Sequence, residues 1–311
     1  MSIGVVLPYW LDRPDDEAVE IAQEADRLGF DTLWIGELAT FDAFALATAI
    51  GLRTNEIALR IGPLAAGVRS PVALALGLSS VATLTGRQVD LALGASSPTI
   101  VNGWHDRPWP GAAPRMRETV RAVRDLLAGH RIDADGEHVR AHGFRLRHPL
   151  PDATVSVAAF GPVMLRVAAE EADEVVLNLV TPEQVARVRK ATLNVERPPR
   201  LAVWVTAALD PGPDAIRQMS EQLALYLRAP GYAEMFADLG YETLVAQAKA
   251  GTPRKELDVP GPLLEAVCAL GSAAALKDRI ADYHRAGADH VGIAPSTADD
   301  PAGRRVLAAV V

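Results

Sequence analysis

The sequence contains a single cysteine, Cys268, among its 311 residues. One thiol excludes an internal disulfide and any metal site built from several cysteines, so we interpret Cys268 as a packed side chain. Basic residues are also in the minority, with 31 Lys and Arg against 39 Asp and Glu and a net charge of −8. Because a nucleic-acid-binding protein shows a basic stripe, we do not expect this class.

Long hydrophobic runs and targeting signals are missing as well. No run reaches the roughly 18 apolar residues that a membrane helix requires, since charges interrupt the alanine-rich stretches. The chain enters a predicted strand at once, without a basic leader or a cleavage site, which argues against a secretory signal. These absences favour a cytoplasmic enzyme with a small-molecule substrate and no membrane partner.

Several familiar catalytic motifs do not occur. The sequence has no HExxH, GxSxG, GxGxxG or phosphate-binding P-loop pattern. Three of the seven histidines, His138, His142 and His148, lie in or beside a predicted hairpin. Their spacing would suit a metal ion only on a helix, so we predict no metal site.

The sequence does contain a regular alternation of apolar strands and helices, clearest between Val155 and Gln184. A buried strand at 155–159 ends before Pro162, which suits the first position of a helix. A second strand at 174–179 precedes Thr181, which begins the next helix. Because both strands end on the same side, two helix N-termini with free N–H groups can hold an anion or a cofactor there.

Eight such strands predict an α/β fold, a (β/α)8 TIM barrel formed as one domain over residues 1–311. The predicted strands are 3–7, 32–36, 57–63, 89–94, 155–159, 174–179, 201–209 and 290–294. Two insertions are expected, a β-hairpin near 131–149 and a mostly helical segment near 230–262. A helix is predicted around 263–270 after the second insertion.

Barrel enzymes build their active sites at the C-terminal ends of the strands. Glu37 ends the second strand and His105 lies in an irregular loop after the fourth. We interpret both as candidate catalytic acids or bases, with an ionic partner and an ordinary loop histidine as the alternatives. Ser96 and Ser97 end the fourth strand, where small side chains would let a flat ring approach the backbone or would cap a turn.

The fifth and sixth strands end in candidates for anion binding. Gly161 permits close approach of an anion, and Thr181 offers a hydroxyl beside a helix N-terminus. Ordinary N-cap chemistry explains either residue alone, but explains less easily the presence of both on adjacent strands.

Four segments of the chain, in order, resemble the luciferase-like flavin and deazaflavin oxidoreductases, most closely their coenzyme F-420-dependent branch. They span nearly the N-terminal two thirds, and they are 18–37 (AVEIAQEADRLGFDTLWIGE), 61–94 (beginning IGPLAAGVRSPV), 116–129 (MRETVRAVRDLLAG) and 157–184 (beginning VAAFGPVMLRVAAEEADEVV). The resemblance implies an eight-fold barrel with the cofactor ring across the C-terminal ends of the strands.

The resemblance also implies roles for individual residues. Leu64 and Ala65 match a bulge after the third strand, which often carries a non-prolyl cis peptide that backs the ring. Ser96 and Ser97 match positions beside the ring or its ribityl chain. Four further residues match positions that bind the phosphate end of the cofactor and its surroundings, namely Phe160, Gly161, Asn178 and Thr181.

By this resemblance, the protein transfers a hydride between bound coenzyme F-420 and a small organic substrate, as a homodimer. Two alternatives remain, an FMN-dependent monooxygenase served by a separate flavin or deazaflavin reductase, and a non-catalytic barrel with a binding or accessory role. The chain departs from several relatives in having Leu38 where they carry a proton-transferring histidine after the acidic residue. It also has Ser97-Pro98-Thr99 where sugar-phosphate-oxidising relatives carry a carboxylate, so that reaction is not expected.

Overall fold

The computed structural model describes residues 2–311, in which eight parallel strands close into a barrel. The strands are β1 (Ser2–Val6), β2 (Thr32–Ile35), β3 (Ala58–Ala65), β4 (Val89–Gly94), β5 (Asp133–Asp135), β6 (Arg140–His142), β7 (Val155–Ala158), β8 (Glu174–Asn178), β9 (Arg200–Leu209), β10 (Ala269–Gly271) and β11 (His290–Pro295). The barrel order is β1, β2, β3, β4, β7, β8, β9 and β11, and β11 pairs with β1 to close it. The predicted (β/α)8 barrel is confirmed.

Helices follow the barrel strands and pack around them. They are α1 (Glu17–Arg27), α2 (Ala43–Gly51), α3 (Pro71–Thr85), α4 (Ala112–Leu127), α5 (Pro162–Glu171), α6 (Pro182–Thr192), α7 (Pro213–Tyr226), α8 (Tyr232–Asp238), α9 (Glu242–Lys249), α10 (Gly261–Val267), α11 (Ala273–Arg285) and α12 (Arg304–Val310). Proline occupies the first position of several helices, where the backbone N–H that it lacks would have no partner within the helix. None of the helices in residues 2–311 is both long and apolar enough to cross a membrane.

Both predicted insertions are confirmed. Strands β5 and β6 pair antiparallel as a hairpin outside the barrel. The second insertion contains α8 and α9, and its apolar side chains join those of α7 and α10 in a hydrophobic cluster separate from that of the barrel.

The helix predicted around 263–270 is wrong in its second half. Helix α10 ends at Val267, Cys268 is extended (φ −120°, ψ 170°), and the chain continues as β10. Strand β8 pairs with β9 only as far as Trp204, so the edge of β9 at 207–209 is free to pair with β10. A short apolar run fits a helix or a strand equally well, and the free strand edge decides between them.

Two tryptophans fill the barrel interior. Trp34 on β2 and Trp204 on β9 meet edge to face, with ring centroids 5.4 Å apart. Gly292 on β11 leaves room in this packing, because a Cβ atom on it would lie 2.7 Å from Val6 Cγ2 and 3.2 Å from Trp204 Cδ1. The interior is therefore a packed core and not a pore.

Polar side chains occupy the layer nearer the N-terminal ends of the strands. His290 is fully buried, and its Nε2 accepts a hydrogen bond from Trp34 Nε1 at 3.0 Å. Since an indole N–H can only donate, Nδ1 carries the ring proton and donates to Ser2 Oγ at 2.9 Å. Burial lowers the pKa of His290 to about 3, helped by the positive charge of Arg60. Arg60 forms a buried ion pair with Glu174. This end of a barrel serves stability.

Candidate functional site

A cavity of about 560 Å³ opens at the C-terminal ends of β2, β3 and β4. Its volume lies within the range of roughly 300–1,000 Å³ that small-molecule sites occupy. Its wall includes half of the residues predicted for the site, namely Glu37, Leu64, Ala65, Ser96 and His105. The end of β3 and the loops after β2 and β4 therefore bring five of the ten predicted residues together.

The floor of the cavity is an irregular part of β3. The pairing of β3 with β4 shifts register between Ile61 and Leu64, so the expected bulge lies within the strand and not after it. The expected non-prolyl cis peptide at Leu64 and Ala65 is wrong, because the cis bond joins Gly62 to Pro63. A peptide bond before proline adopts the cis form far more readily than any other.

The wall formed after β4 has an unusual backbone conformation. Ser96 lies in the left-handed region at φ 65°, where a side chain costs about 1–2 kcal/mol. Such conformations persist where the surrounding structure holds them, and they concentrate at functional sites. Ser97 lies beside it but outside the cavity wall, and its Oγ accepts a hydrogen bond from the N–H of Ile100 at 3.4 Å. Ser97 therefore lies just before the π-helical turn Thr99–Trp104 and contacts its first residues.

Arg69 lies in the cavity wall and forms hydrogen bonds with two carboxylates. Its guanidinium donates to both oxygens of Glu37, at 2.5 and 2.6 Å, and to Oδ2 of Asp42 at 2.6 Å. The hydrogen bond with Glu37 is the main reason that the pKa of Arg69 is raised. The sequence hypotheses did not include Arg69, although a cation directly after the third strand was the signal that could have identified it.

His105 lies on the same cavity wall, just after the π-helical turn. Its side chain is exposed, as is that of Trp104, at 53%. The structure thus places both predicted acid–base residues, Glu37 and His105, around a single cavity.

The predicted cofactor residues on β7 and β8 lie under the helical insertion. The ring of Phe160 packs against Tyr232, with centroids 4.4 Å apart. The side chain of Asn178 donates to the Tyr232 hydroxyl at 3.2 Å. Tyr232 belongs to α8, so the second insertion covers the ends of these two strands.

The N-termini of α5 and α6 differ in whether the chain itself provides hydrogen-bond acceptors for their first N–H groups. Gly161 precedes α5, is exposed, and offers no side chain to cap the helix, so the first N–H groups of α5 are open to an anion. Thr181 is buried, and its Oγ accepts the N–H of Gln184 at 3.3 Å while Gln184 Oε1 accepts the N–H of Thr181 at 2.8 Å. This capping box satisfies the start of α6 internally.

The loop after β11, where barrels frequently bind phosphate, is filled by the chain's own carboxylates. Glu17 accepts hydrogen bonds from the Ala302 N–H at 3.0 Å and the Thr297 hydroxyl at 2.8 Å. Asp300 accepts the N–H groups of Arg305 and Val306 at the start of α12. A phosphate at the loop after β11 would have to displace these carboxylates. The N-terminus of α5 is therefore the better candidate for anion binding.

Tyr9, just after β1, is a further residue that the sequence hypotheses missed. Its ring reaches across to β2, where a Cβ atom on Gly36 would lie 2.5 Å from the Tyr9 hydroxyl. Among the described residues, this buried hydroxyl has no hydrogen-bond partner. Its pKa is raised first by burial and then by Tyr226 and Glu37. A polar aromatic residue at the end of the first strand was the available signal.

The histidines outside the cavity do not form a metal centre. His142 pairs with Asp133 across the hairpin, at 2.7 Å between Nδ1 and Oδ1. Within residues 2–311, no group of three or more His, Cys, Asp and Glu side chains is arranged to hold a metal ion.

The model of the luciferase-like monooxygenase family matches residues 1–290, so the chain belongs to this family. An F-420-dependent glucose-6-phosphate dehydrogenase of Mycobacterium avium is 31% identical over 175 residues, which cover 50% of this chain and 51% of the dehydrogenase. The chain spans about half the length of the curated relatives it matches.

Solved structures confirm the barrel over the full length. The coenzyme F-420-dependent tetrahydromethanopterin reductase of Methanopyrus kandleri superimposes with a TM-score of 0.80 at 18% identity, covering 99% of this chain and 96% of the reductase. The oxygenating constituent of the Pseudomonas putida 3,6-diketocamphane monooxygenase, a type II Baeyer–Villiger enzyme in complex with FMN, gives 0.71 at 16% identity, covering 100% and 96%. At these identities the likeness concerns the fold.

Proposed function

We propose that the protein is an oxidoreductase that transfers a hydride between bound coenzyme F-420 and a small organic substrate. The cavity at the ends of β2, β3 and β4 carries this proposal, because it combines a small-molecule volume with the strand ends where barrel enzymes react. The sequence relationship to an F-420-dependent dehydrogenase supports the choice of cofactor.

The residues around the cavity suit a planar deazaflavin ring. Apolar side chains from the loops after β2, β3 and β4 form much of the wall, including Phe41, Val68 and Ile100. Polar and charged side chains line the rest of the wall and can fix the orientation of a ligand, namely Glu37, Thr40, Asp42, Arg69, Ser96 and His105. When bound, the ring supplies the hydride chemistry, while the chain orients it and excludes water. Ser96 and Ser97 are proposed to lie beside the ring or its ribityl chain.

We propose that the phosphate end binds near the start of α5. Gly161 leaves the first N–H groups of this helix open, and a helix N-terminus favours an anion. Phe160, Asn178 and Thr181 complete the proposed tail region at the ends of β7 and β8. Among these, Asn178 would exchange its hydrogen bond with Tyr232 for one with the cofactor.

Proton transfer in this proposal rests on Glu37 and His105. Arg69 fixes the orientation of the Glu37 carboxylate by binding both oxygens. The exposed His105 side chain lies in the cavity wall, where solvent can reach its ring.

A parallel titration of the purified apoprotein with oxidised coenzyme F-420 and with FMN tests the proposal. We expect micromolar binding of F-420, with a change in its visible absorption, and weaker binding of FMN. Tight FMN binding with oxygen uptake would instead support the monooxygenase with a separate reductase. Binding of neither cofactor would support the non-catalytic barrel.

Tryptophan fluorescence offers a way to locate the ligand in the same titration. Trp104 is exposed at the cavity, whereas Trp34 is buried in the barrel interior. A ring bound in the cavity is expected to quench Trp104 strongly. Trp104→Phe should therefore lose much of the quenching, while the Kd measured by ultrafiltration stays within about threefold of wild type.

We also propose that two copies of the chain associate through α2 and α3. No charged residue occurs from 43 to 52 or from 71 to 86, yet Leu52, Leu76 and Leu84 are 63%, 50% and 65% exposed. A two-fold axis places the same patch on both sides of an interface. Two chains that each carry a net charge of −8 can approach through an uncharged face without direct repulsion.

A further inference from the structure

The Tyr9 hydroxyl is a buried polar group without a partner at the mouth of the barrel. The residue follows β1, and its hydroxyl lies against Gly36, directly before the cavity residue Glu37. Neither a side chain nor a backbone group within residues 2–311 satisfies it. It therefore lies against the backbone that leads directly into Glu37, a residue of the cavity wall.

An unsatisfied buried hydroxyl destabilises the chain that contains it, because water is lost without a replacement. A phenylalanine at the same position would keep the ring and avoid this loss. Gly36 adds a second requirement, since any larger residue there would collide with the hydroxyl at 2.5 Å. Two positions that follow the neighbouring strands β1 and β2 thus surround one oxygen atom that has no hydrogen-bond partner within residues 2–311.

The surroundings of this oxygen favour a neutral donor. Burial, Tyr226 and Glu37 all raise the pKa of Tyr9, so the phenol keeps its proton under ordinary conditions. A protonated phenol donates one hydrogen bond to an acceptor such as a carbonyl oxygen. The nearby carboxylate of Glu37 already accepts from Arg69 and from the Ala43 N–H.

We propose that Tyr9 is a positioning residue that donates a hydrogen bond to a carbonyl oxygen of the bound cofactor ring. This inference rests on the proposed function and adds to it a contact from β1, on the side of the cavity opposite β4. Deazaflavin and flavin rings both carry a pyrimidinedione edge with carbonyl oxygens, so the contact is available to either cofactor.

Tyr9→Phe distinguishes this role from a structural one, because the two roles predict opposite changes in the unfolding temperature of the ligand-free protein. Without ligand, the variant is expected to unfold at the same temperature as wild type or a higher one, since an unsatisfied hydroxyl is removed. With ligand, its Kd is expected to rise about three- to tenfold, the loss of one uncharged hydrogen bond. The visible absorption band of the bound ring should also shift, since a carbonyl has lost its donor.

Tyr283→Phe is the matched control, because it also removes one buried phenol oxygen. The Tyr283 hydroxyl donates to the Val180 carbonyl at 2.8 Å, so this variant should unfold at a lower temperature and bind the cofactor unchanged. Each variant and wild type are titrated with coenzyme F-420 and with FMN.

Three outcomes would overturn the proposal. A Tyr9→Phe variant that binds both cofactors within twofold of wild type, with an unshifted band, shows that the hydroxyl does not contact the ring. A marked fall in its unfolding temperature shows that the hydroxyl is used inside the free protein. If wild type itself binds neither F-420 nor FMN, the proposed function fails first and the contact fails with it.

Discussion

Arg69 binds both carboxylate oxygens of Glu37, and the two residues follow the adjacent strands β3 and β2. Their side chains are 21% and 24% exposed, so the pair is more sheltered than an ordinary surface ion pair. We expect Arg69→Met to lower the free energy of unfolding by about 1–2 kcal/mol, because Glu37 and Asp42 both lose their partner. The free energy of unfolding of Arg69→Lys should lie between those of wild type and Arg69→Met, since an ammonium cannot bind both oxygens in the same planar geometry.

Urea unfolding of these variants measures the effect. Arg27→Met is the matched control, because Arg27 also binds both oxygens of a carboxylate, Glu24, but on the open surface of α1. It should unfold almost like wild type. Equal losses for the two methionine variants would show that the Arg69 pair is an ordinary surface contact.

The proposed proton-transfer residues predict a loss of activity in two variants. Glu37→Gln and His105→Ala should each lower kcat/KM by about a hundredfold if the side chain carries a proton in the transition state. The profile of kcat/KM is measured from about pH 6 to pH 9. His130→Ala, an exposed histidine outside the cavity, is the control and should leave the profile unchanged. Wild-type kcat/KM across this range for both variants would remove these residues from the mechanism.

The proposed association through α2 and α3 predicts a charge-sensitive dimer. Leu76→Arg places a charge in the middle of the uncharged face and should convert the protein to a monomer in sedimentation velocity experiments. Leu193→Arg, a residue 52% exposed beyond α6, is the control and should leave the sedimentation coefficient unchanged. A wild-type protein that sediments as a monomer at micromolar concentration would contradict the proposal.

The buried His290 predicts a loss of stability in mild acid. The folded chain holds its pKa at about 3, whereas an unperturbed histidine titrates near 6.5. Below pH 6.5 the unfolded chain therefore binds a proton that the folded chain excludes, and stability falls as the pH decreases toward 3. The contribution of this residue is about 1.4 kcal/mol per pH unit within that window.

Comparison of wild type with His290→Gln isolates this proton from those bound by carboxylates. The variant should be less stable at neutral pH but should lose less further stability between about pH 6 and pH 4. Denaturant unfolding at several pH values gives the two slopes. Parallel slopes would show that His290 does not titrate differently in the folded chain.

Much of the barrel was predictable because its signals are local. Each strand is a short apolar run beside a turn, and prolines such as Pro71 and Pro162 mark helix starts. Strand β10 was not predictable, since Ala269 to Gly271 becomes a strand only because β9 extends beyond β8.

The site was predictable only in part, because loops distant in sequence build it. Strand ends identified Glu37, Ser96 and His105 as residues of one barrel face, and they do line one cavity. The contact of Arg69 with Glu37 and the approach of Tyr9 to Gly36 depend on loop conformations that no local pattern describes. The covering of Asn178 by Tyr232 depends on how the insertion folds back over the barrel.

The packing inside the barrel has a consequence for how this sequence can diverge. A Cβ atom on Gly292 would lie 2.7 Å from Val6 Cγ2 and 3.2 Å from Trp204 Cδ1, so Val6 is the first obstacle and the indole the second. A larger residue at Gly292 therefore requires a smaller side chain at Val6 and some movement of Trp204, whereas a smaller side chain at Val6 alone leaves a void. Residues 6, 204 and 292 are thus expected to change together during divergence, since each single step costs stability.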